Sequence, residues 1–180
     1  MTCGLTHELK GLENIPDEPC VFACAHQSTW ETITTQTFLP ALAWVLKKEL
    51  LNIPVFGLGL RASGPIAIDR SDQKNALDQV VEQGIEKFKE GRYVLIFPQG
   101  TRTAYGESGR YKKGAAKLAI AANKLIVPVA HDAGKYWSRD SYWIKPGTIR
   151  CIFGPPISVE GKTDQQVTQE IQTWIEAQNL

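Results

Sequence analysis

A histidine with a carboxylate five residues on is the first pairing in this chain that could do chemistry: His26 and Glu31, in Ala25-His26-Gln27-Ser28-Thr29-Trp30-Glu31. The carboxylate can hold one ring nitrogen protonated and leave the other free to take a proton, as a general base and its orienting partner do. A histidine bonded for structural reasons alone fits the same residues. A second candidate, Phe97-Pro98-Gln99-Gly100-Thr101-Arg102, follows the most strongly apolar run of the chain. Gly100 lets backbone N–H groups approach an anion, Thr101 adds a hydroxyl, and Arg102 adds a fork of donors. A turn with a surface arginine has the same composition. The third, Ser63-Gly64-Pro65-Ile66-Ala67-Ile68-Asp69-Arg70, ends a short apolar run in an Asp-Arg pair. Arg70 can meet a phosphate there, or Asp69 can cap a helix beside a solvated arginine. Ser28, next to the histidine, reads as a helix cap and not as a nucleophile.

These residues need elements to hold them. Apolar runs at 20–24, 42–46, 65–68, 93–97, 125–129 and 148–153 read as strands. Pro128 suggests that its strand is irregular or lies at an edge. Helices are expected over 28–37, from a Ser71 cap to a stop at Gly91, over 113–123, and after 163. In the last, Thr163 and Gln166 form a capping box and Val167, Ile171, Trp174 and Ile175 face inward. The stretch 105–110 reads as an exposed loop. Buried strands alternating with helices imply an α/β fold with a mixed, largely parallel central sheet flanked by helices.

The 180 residues are expected to form one domain over 1–180. With 43% hydrophobic and 22% charged residues, disorder, collagen and coiled coil are excluded as the main state. A net charge of +1 gives no global attraction to nucleic acid, so any anion site must be local. No stretch is apolar enough to span a bilayer, and no signal peptide is expected at the start. Cys3, Cys20, Cys24 and Cys151 match no zinc spacing and read as free thiols. His7, His26 and His131 form no ligand pattern with carboxylates, so no metal is expected.

In order and spacing the motifs resemble those of the glycerolipid acyltransferase family. Its H-x-x-x-x-D, G-x-x-x-x-D-R-like, F-P-E-G-T-R and V-P-V-like blocks are similar to His26–Glu31, Gly64–Arg70, Phe97–Arg102 and Ile126–Val129, in that order. Gly11–Pro16 and Lys47–Leu50 also resemble family segments. Glu31 stands where the family has Asp, and Gln99 where it has Glu. The resemblance implies that fold, and acyl transfer from acyl-CoA or acyl-carrier protein to the 2-hydroxyl of 1-acylglycerol-3-phosphate. His26 is implied as base and Glu31 as its orienter. Gly100, Thr101 and Arg102 would bind the acceptor phosphate, with Arg70 and Lys47 as further candidates and Pro98 and Gln99 supporting the loop. No cofactor is implied beyond the thioester co-substrate. An acyltransferase for glycerol-3-phosphate or a lyso-aminolipid, and a non-catalytic lipid-binding relative, are the alternatives.

The implied location is peripheral, on the cytoplasmic face of the inner or plasma membrane. The chain is expected to lack the family's N-terminal membrane-binding helical segment, which makes it cytoplasmic if that anchor is truly missing and its hold on a membrane surface weak. The apolar residues of 50–60, beside Lys47 and Lys48, could be an interfacial patch, an acyl-tunnel wall or plain core. No nucleic-acid partner is expected.

Overall fold

A computed structural model describes residues 3–69, 71 and 75–180. Its sheet contains β1 Leu5–Lys10, β2 Val21–Cys24, β3 Leu42–Lys47, β4 Ile66–Ile68, β5 Tyr93–Ile96, β6 Ile126–His131 and β7 Gly147–Phe153, in the order β1-β7-β6-β2-β5-β3-β4. Every pairing is parallel except β6 with β7. The helices are α1 Trp30–Phe38, α2 Phe56–Ala62, α3 Ala76–Lys89, α4 Gly114–Ala122, α5 Ala133–Tyr136 and α6 Asp164–Ala177.

The uniformly apolar strands follow from a sheet covered on both faces. Along β2, Val21 and Ala23 join Val94, Ile96 and Ile126 in a core shared with α3, α4 and α6. Phe22 and Cys24 point the other way, into a core with Leu95, Val127, Val129, Trp30 and Leu39. Phe22 is fully buried, and its truncation to alanine would cost about 3–5 kcal/mol. All four cysteines are free thiols. Burial pushes Cys20 and Cys151 up to about 12, so both pack as unreactive small apolar groups.

The α6 capping box forms as its sequence suggests: the Gln166 N–H donates to Thr163 Oγ1 and the Thr163 N–H to Gln166 Oε1. Val167, Ile171 and Ile175 are buried below it, with Trp174 half-buried. Helix α3 departs from expectation. Asn75 and not Ser71 is its N-cap, because Ser71 is used by a turn in which its N–H and hydroxyl both donate to Asp69 Oδ1. Within α3, Gly84 permits close approach of α4, since a Cβ there would lie 2.6 Å from Leu118.

Pro128 is in an interior strand, against the edge expectation. Its carbonyl accepts from the Gly154 N–H at 2.8 Å, so its amide nitrogen faces the same side. There β7 has already ended at Phe153, and no ladder donor is required of the proline. Strand β1 has no counterpart among the expected strands. It is an edge strand with only Leu5 and Leu9 half-buried.

Candidate active site

Parallel pairing brings the first and second of the candidate motifs together. In β2 and β5, Ala23 is level with Ile96, so the segments leaving their carboxyl ends, 25–29 and 97–103, are neighbours. That end of an open α/β sheet is where ligands bind. The His26 backbone is clamped from the second segment: its N–H donates to Gln99 Oε1 at 2.9 Å, and its carbonyl accepts from the Thr103 N–H at 2.8 Å. The imidazole lies flat on Phe97, with centroids 4.0 Å apart and planes 15° from parallel.

Glu31 completes the clamp. Its Oε1 is 2.9 Å from His26 Nδ1 and accepts the backbone N–H groups of Gln27 and Ser28, each at 2.8 Å. The side chain is fully buried. Burial pushes its carboxyl up, but the His131 ring 3.9 Å from Oε2, the His26 hydrogen bond and the Ser28 amide outweigh this and hold it below its ordinary value. An ionised carboxylate only accepts, so His26 Nδ1 carries a proton, which in the neutral ring leaves the lone pair on Nε2. Ser28 is buried, and its Oγ accepts from the Trp30 N–H at 3.1 Å, which makes it a cap for α1.

A cleft of about 300 Å³ opens beside this pair, lined by His26, Gly100, Thr101, Arg102, Arg139 and Asp140. Gly100 has φ 71°, a conformation that favours glycine, and the Lys112 Nζ lies 2.8 Å from where a Cβ would sit. Arg102 is half-buried and its guanidinium has no ion-pair partner among the described residues. Pro98 is buried under the turn and its carbonyl accepts from the Lys112 N–H at 2.8 Å. The cleft therefore joins a proton acceptor to a cationic loop.

An acyltransferase family model matches residues 7–132, which include both sides of this cleft. The chain belongs to the acyltransferase family. It is 43% identical over 178 residues to 1-acyl-sn-glycerol-3-phosphate acyltransferase of Pseudomonas aeruginosa, covering 97% of this chain and 69% of that enzyme. It is 34% identical over 169 residues to the Saccharomyces cerevisiae enzyme of that name, covering 91% of this chain and 55% of that one. Against the chloroplastic enzyme of Brassica napus identity is 32% over 154 residues, and the chain spans 44% of that protein's length. The crystal structure of the 1-acyl-sn-glycerophosphate (LPA) acyltransferase from Thermotoga maritima has the same fold. Its TM-score is 0.80 at 23% identity, covering 96% of this chain and 69% of that one.

Three residues in and around the acyltransferase cleft are invisible to motif reading, and of these Arg139 lines it. His131, at the end of β6, is buried behind Glu31. Its Nε2–H donates to the Ala25 carbonyl at 2.8 Å and its Nδ1 accepts from the Ala133 N–H, so it braces the segment that carries His26. Lys112 lies over Gly100, and Arg139 reaches the loop from 37 residues away, donating through Nη1 to the Arg102 carbonyl at 2.9 Å. Arg139 follows β6 and α5, and β6 runs parallel to β2 and so ends at the same end of the sheet. Lys47, by contrast, is exposed at the end of β3, pairs with Glu49 at 3.2 Å, and is not in the cleft lining. It lies two strands from β2, about 10 Å away at normal strand spacing. Arg70 is outside the described residues. Among those described, no three metal-ligating side chains converge. A second cavity, about 280 Å³, lies behind Gln27 and Gln99 against the end of α6.

Proposed function

We propose that this chain moves a fatty acyl group from a thioester, acyl-CoA or acyl-carrier protein, to the 2-hydroxyl of 1-acylglycerol-3-phosphate, giving phosphatidic acid. The observation that carries the reading is the His26–Glu31 pair set 2.9 Å apart beside the cationic turn Gly100–Arg102. The 43% identity to an enzyme named for this acceptor supports the choice of substrate.

In this reading His26 Nε2 takes the proton of the acceptor hydroxyl as its oxygen attacks the thioester carbonyl. The C–O bond forms, the C–S bond breaks, and the proton passes from His26 to the departing thiolate. General-base help of this kind is worth ~10²–10⁴-fold. Glu31 keeps the ring in its Nδ1–H tautomer and stabilises the imidazolium that forms. Arg102, with the Gly100 and Thr101 backbone, holds the acceptor phosphate. The thioester is already activated, so the reaction as written calls for no covalent nucleophile and no cofactor beyond the donor. The reading places the protein at the cytoplasmic face of a membrane. No helix among the described residues is long and apolar enough to cross one.

Thiol release with 1-acylglycerol-3-phosphate, glycerol-3-phosphate and a lyso-aminolipid in parallel tests the acceptor, and acyl-CoA against acyl-carrier protein tests the donor. The reading requires the first acceptor to be preferred. Faster turnover with either of the others overturns it.

A further inference from the structure

The four most exposed large hydrophobic side chains among the described residues are Tyr142 (101%), Trp143 (85%), Val55 (82%) and Leu58 (71%). They fall in two segments. Val55 and Leu58 are in the run after β3, with Leu50, Ile53 and Phe56 also exposed, so most of this stretch is surface and not core. Tyr142 and Trp143 are in the segment 137–146, between α5 and β7. The first segment follows the carboxyl end of β3 and the second follows that of β6, the same sheet end that carries His26 after β2 and Gly100 after β5. The two apolar segments thus stand on either side of the cleft.

The aromatic segment is built to keep its tip outward. The Trp143 N–H donates to Ser141 Oγ and the Ser141 hydroxyl to the Trp143 carbonyl, both at 3.0 Å. The Lys145 N–H closes the segment's base onto the Tyr136 carbonyl at 2.9 Å. Arg139 anchors it to the phosphate loop through the Arg102 carbonyl. Its charge is net +1, with Arg139 and Lys145 against Asp140, and the stretch 47–61 opposite is also net positive, with Lys47, Lys48 and Arg61 against Glu49. Tyrosine and tryptophan are the side chains that settle at a bilayer's headgroup level, and flanking cations favour anionic lipid.

We propose that Tyr142 and Trp143 form a membrane-docking tip that inserts at the headgroup level of an anionic bilayer and presents the cleft to lipid in that surface. The choice of a bilayer as occupant rests on the acceptor being a membrane lipid, as read above, but its test does not depend on turnover. Binding is expected to be weak and reversible.

Wild type, Tyr142→Ser/Trp143→Ser and Trp143→Phe are titrated with vesicles of phosphatidylcholine containing a minority of phosphatidylglycerol, with and without brominated acyl chains. Trp30 is buried and Trp44, Trp137 and Trp174 are half-buried, so bromolipid quenching present in wild type and absent in Trp143→Phe reports Trp143 itself. The double variant should lose on the order of 10- to 100-fold in vesicle partitioning, as expected for roughly 100 Å² of aromatic surface left in water. It should keep wild-type turnover on a short-chain acceptor dispersed as monomers. Three results would overturn the proposal: no vesicle binding by wild type, binding that the double variant retains, or binding without quenching of Trp143. Self-association of wild type that the double variant loses, with no vesicle binding, would assign the tip to a second copy of the chain. Absence of turnover on every acceptor would refute the proposed reaction and leave the vesicle result standing.

Discussion

Replacing Glu31 by glutamine removes one charge from the site and almost no volume. Oε1 can still accept from His26 Nδ1 and from the Gln27 and Ser28 N–H groups, because the new amide NH₂ takes the Oε2 position. That position has no hydrogen-bond partner now, and the His131 Nε2 lies 3.9 Å from it. Geometry therefore survives and the electrostatics do not. When His26 takes a proton, the imidazolium forms against a buried carboxylate. Unit charges 4 Å apart at an effective dielectric near 20 attract by about 4 kcal/mol. A neutral amide oxygen keeps part of that, since the loss from a charge-assisted to an ordinary hydrogen bond is ~1–2 kcal/mol. Between these bounds kcat should fall about 10- to 1,000-fold. Glu31 is fully buried away from the cleft, so KM for both substrates should hold. Free-thiol release at varied acceptor and donor gives kcat and KM separately, and a thermal melt checks the fold. A Glu31→Gln protein that melts like wild type with kcat within about threefold of it would refute the reasoning.

Arg102→Ala should raise the acceptor KM about 10- to 100-fold and leave the donor KM nearly unchanged, because the proposed reaction puts only the acceptor phosphate at that guanidinium; equal effects in a two-substrate kinetic analysis would remove it from that role. Gln99→Glu keeps an oxygen for the His26 N–H and should hold kcat/KM within about threefold, whereas Gln99→Leu strands that buried donor and should cost ~1–3 kcal/mol in a urea melt with a matching drop in turnover. Glu31 has a lowered pKa in the fold, so the stability it contributes is complete above its ordinary value of 4.5 and is lost as pH falls through the lower folded-state value. Urea midpoints should decline below about pH 4.5 in wild type, and more shallowly in Glu31→Gln.

How far the residues alone reveal this arrangement varies from element to element. Strands β2, β3 and β5 are legible because burial on both faces makes them continuous apolar runs, and α6 because its capping box is a purely local signal. The His26–Glu31 pair is legible because both residues lie in one turn. Strand β1 is not, since a half-buried edge strand carries two apolar residues in six. Pro128 misleads because its missing N–H faces a place that β7 has already left, which depends on where another strand stops. His131, Lys112 and Arg139 come to the site from three separate segments, a juxtaposition that no spacing encodes. The run 50–60 has the composition of a core strand or helix, and only the folded chain shows that Leu50, Ile53, Val55, Phe56 and Leu58 are exposed while Leu60 is buried.

The central claim is that His26 takes the proton of a lysophospholipid hydroxyl. Its most direct test is the amount of phosphatidic acid, measured by mass spectrometry, that wild type and His26→Ala make from a thioester donor and 1-acylglycerol-3-phosphate, with thiol release followed in the same tubes. Wild type should make phosphatidic acid in step with thiol, and a folded His26→Ala protein should make none above the uncatalysed background. Phosphatidic acid formed at the wild-type rate by His26→Ala, or thiol released by wild type without phosphatidic acid, would contradict it.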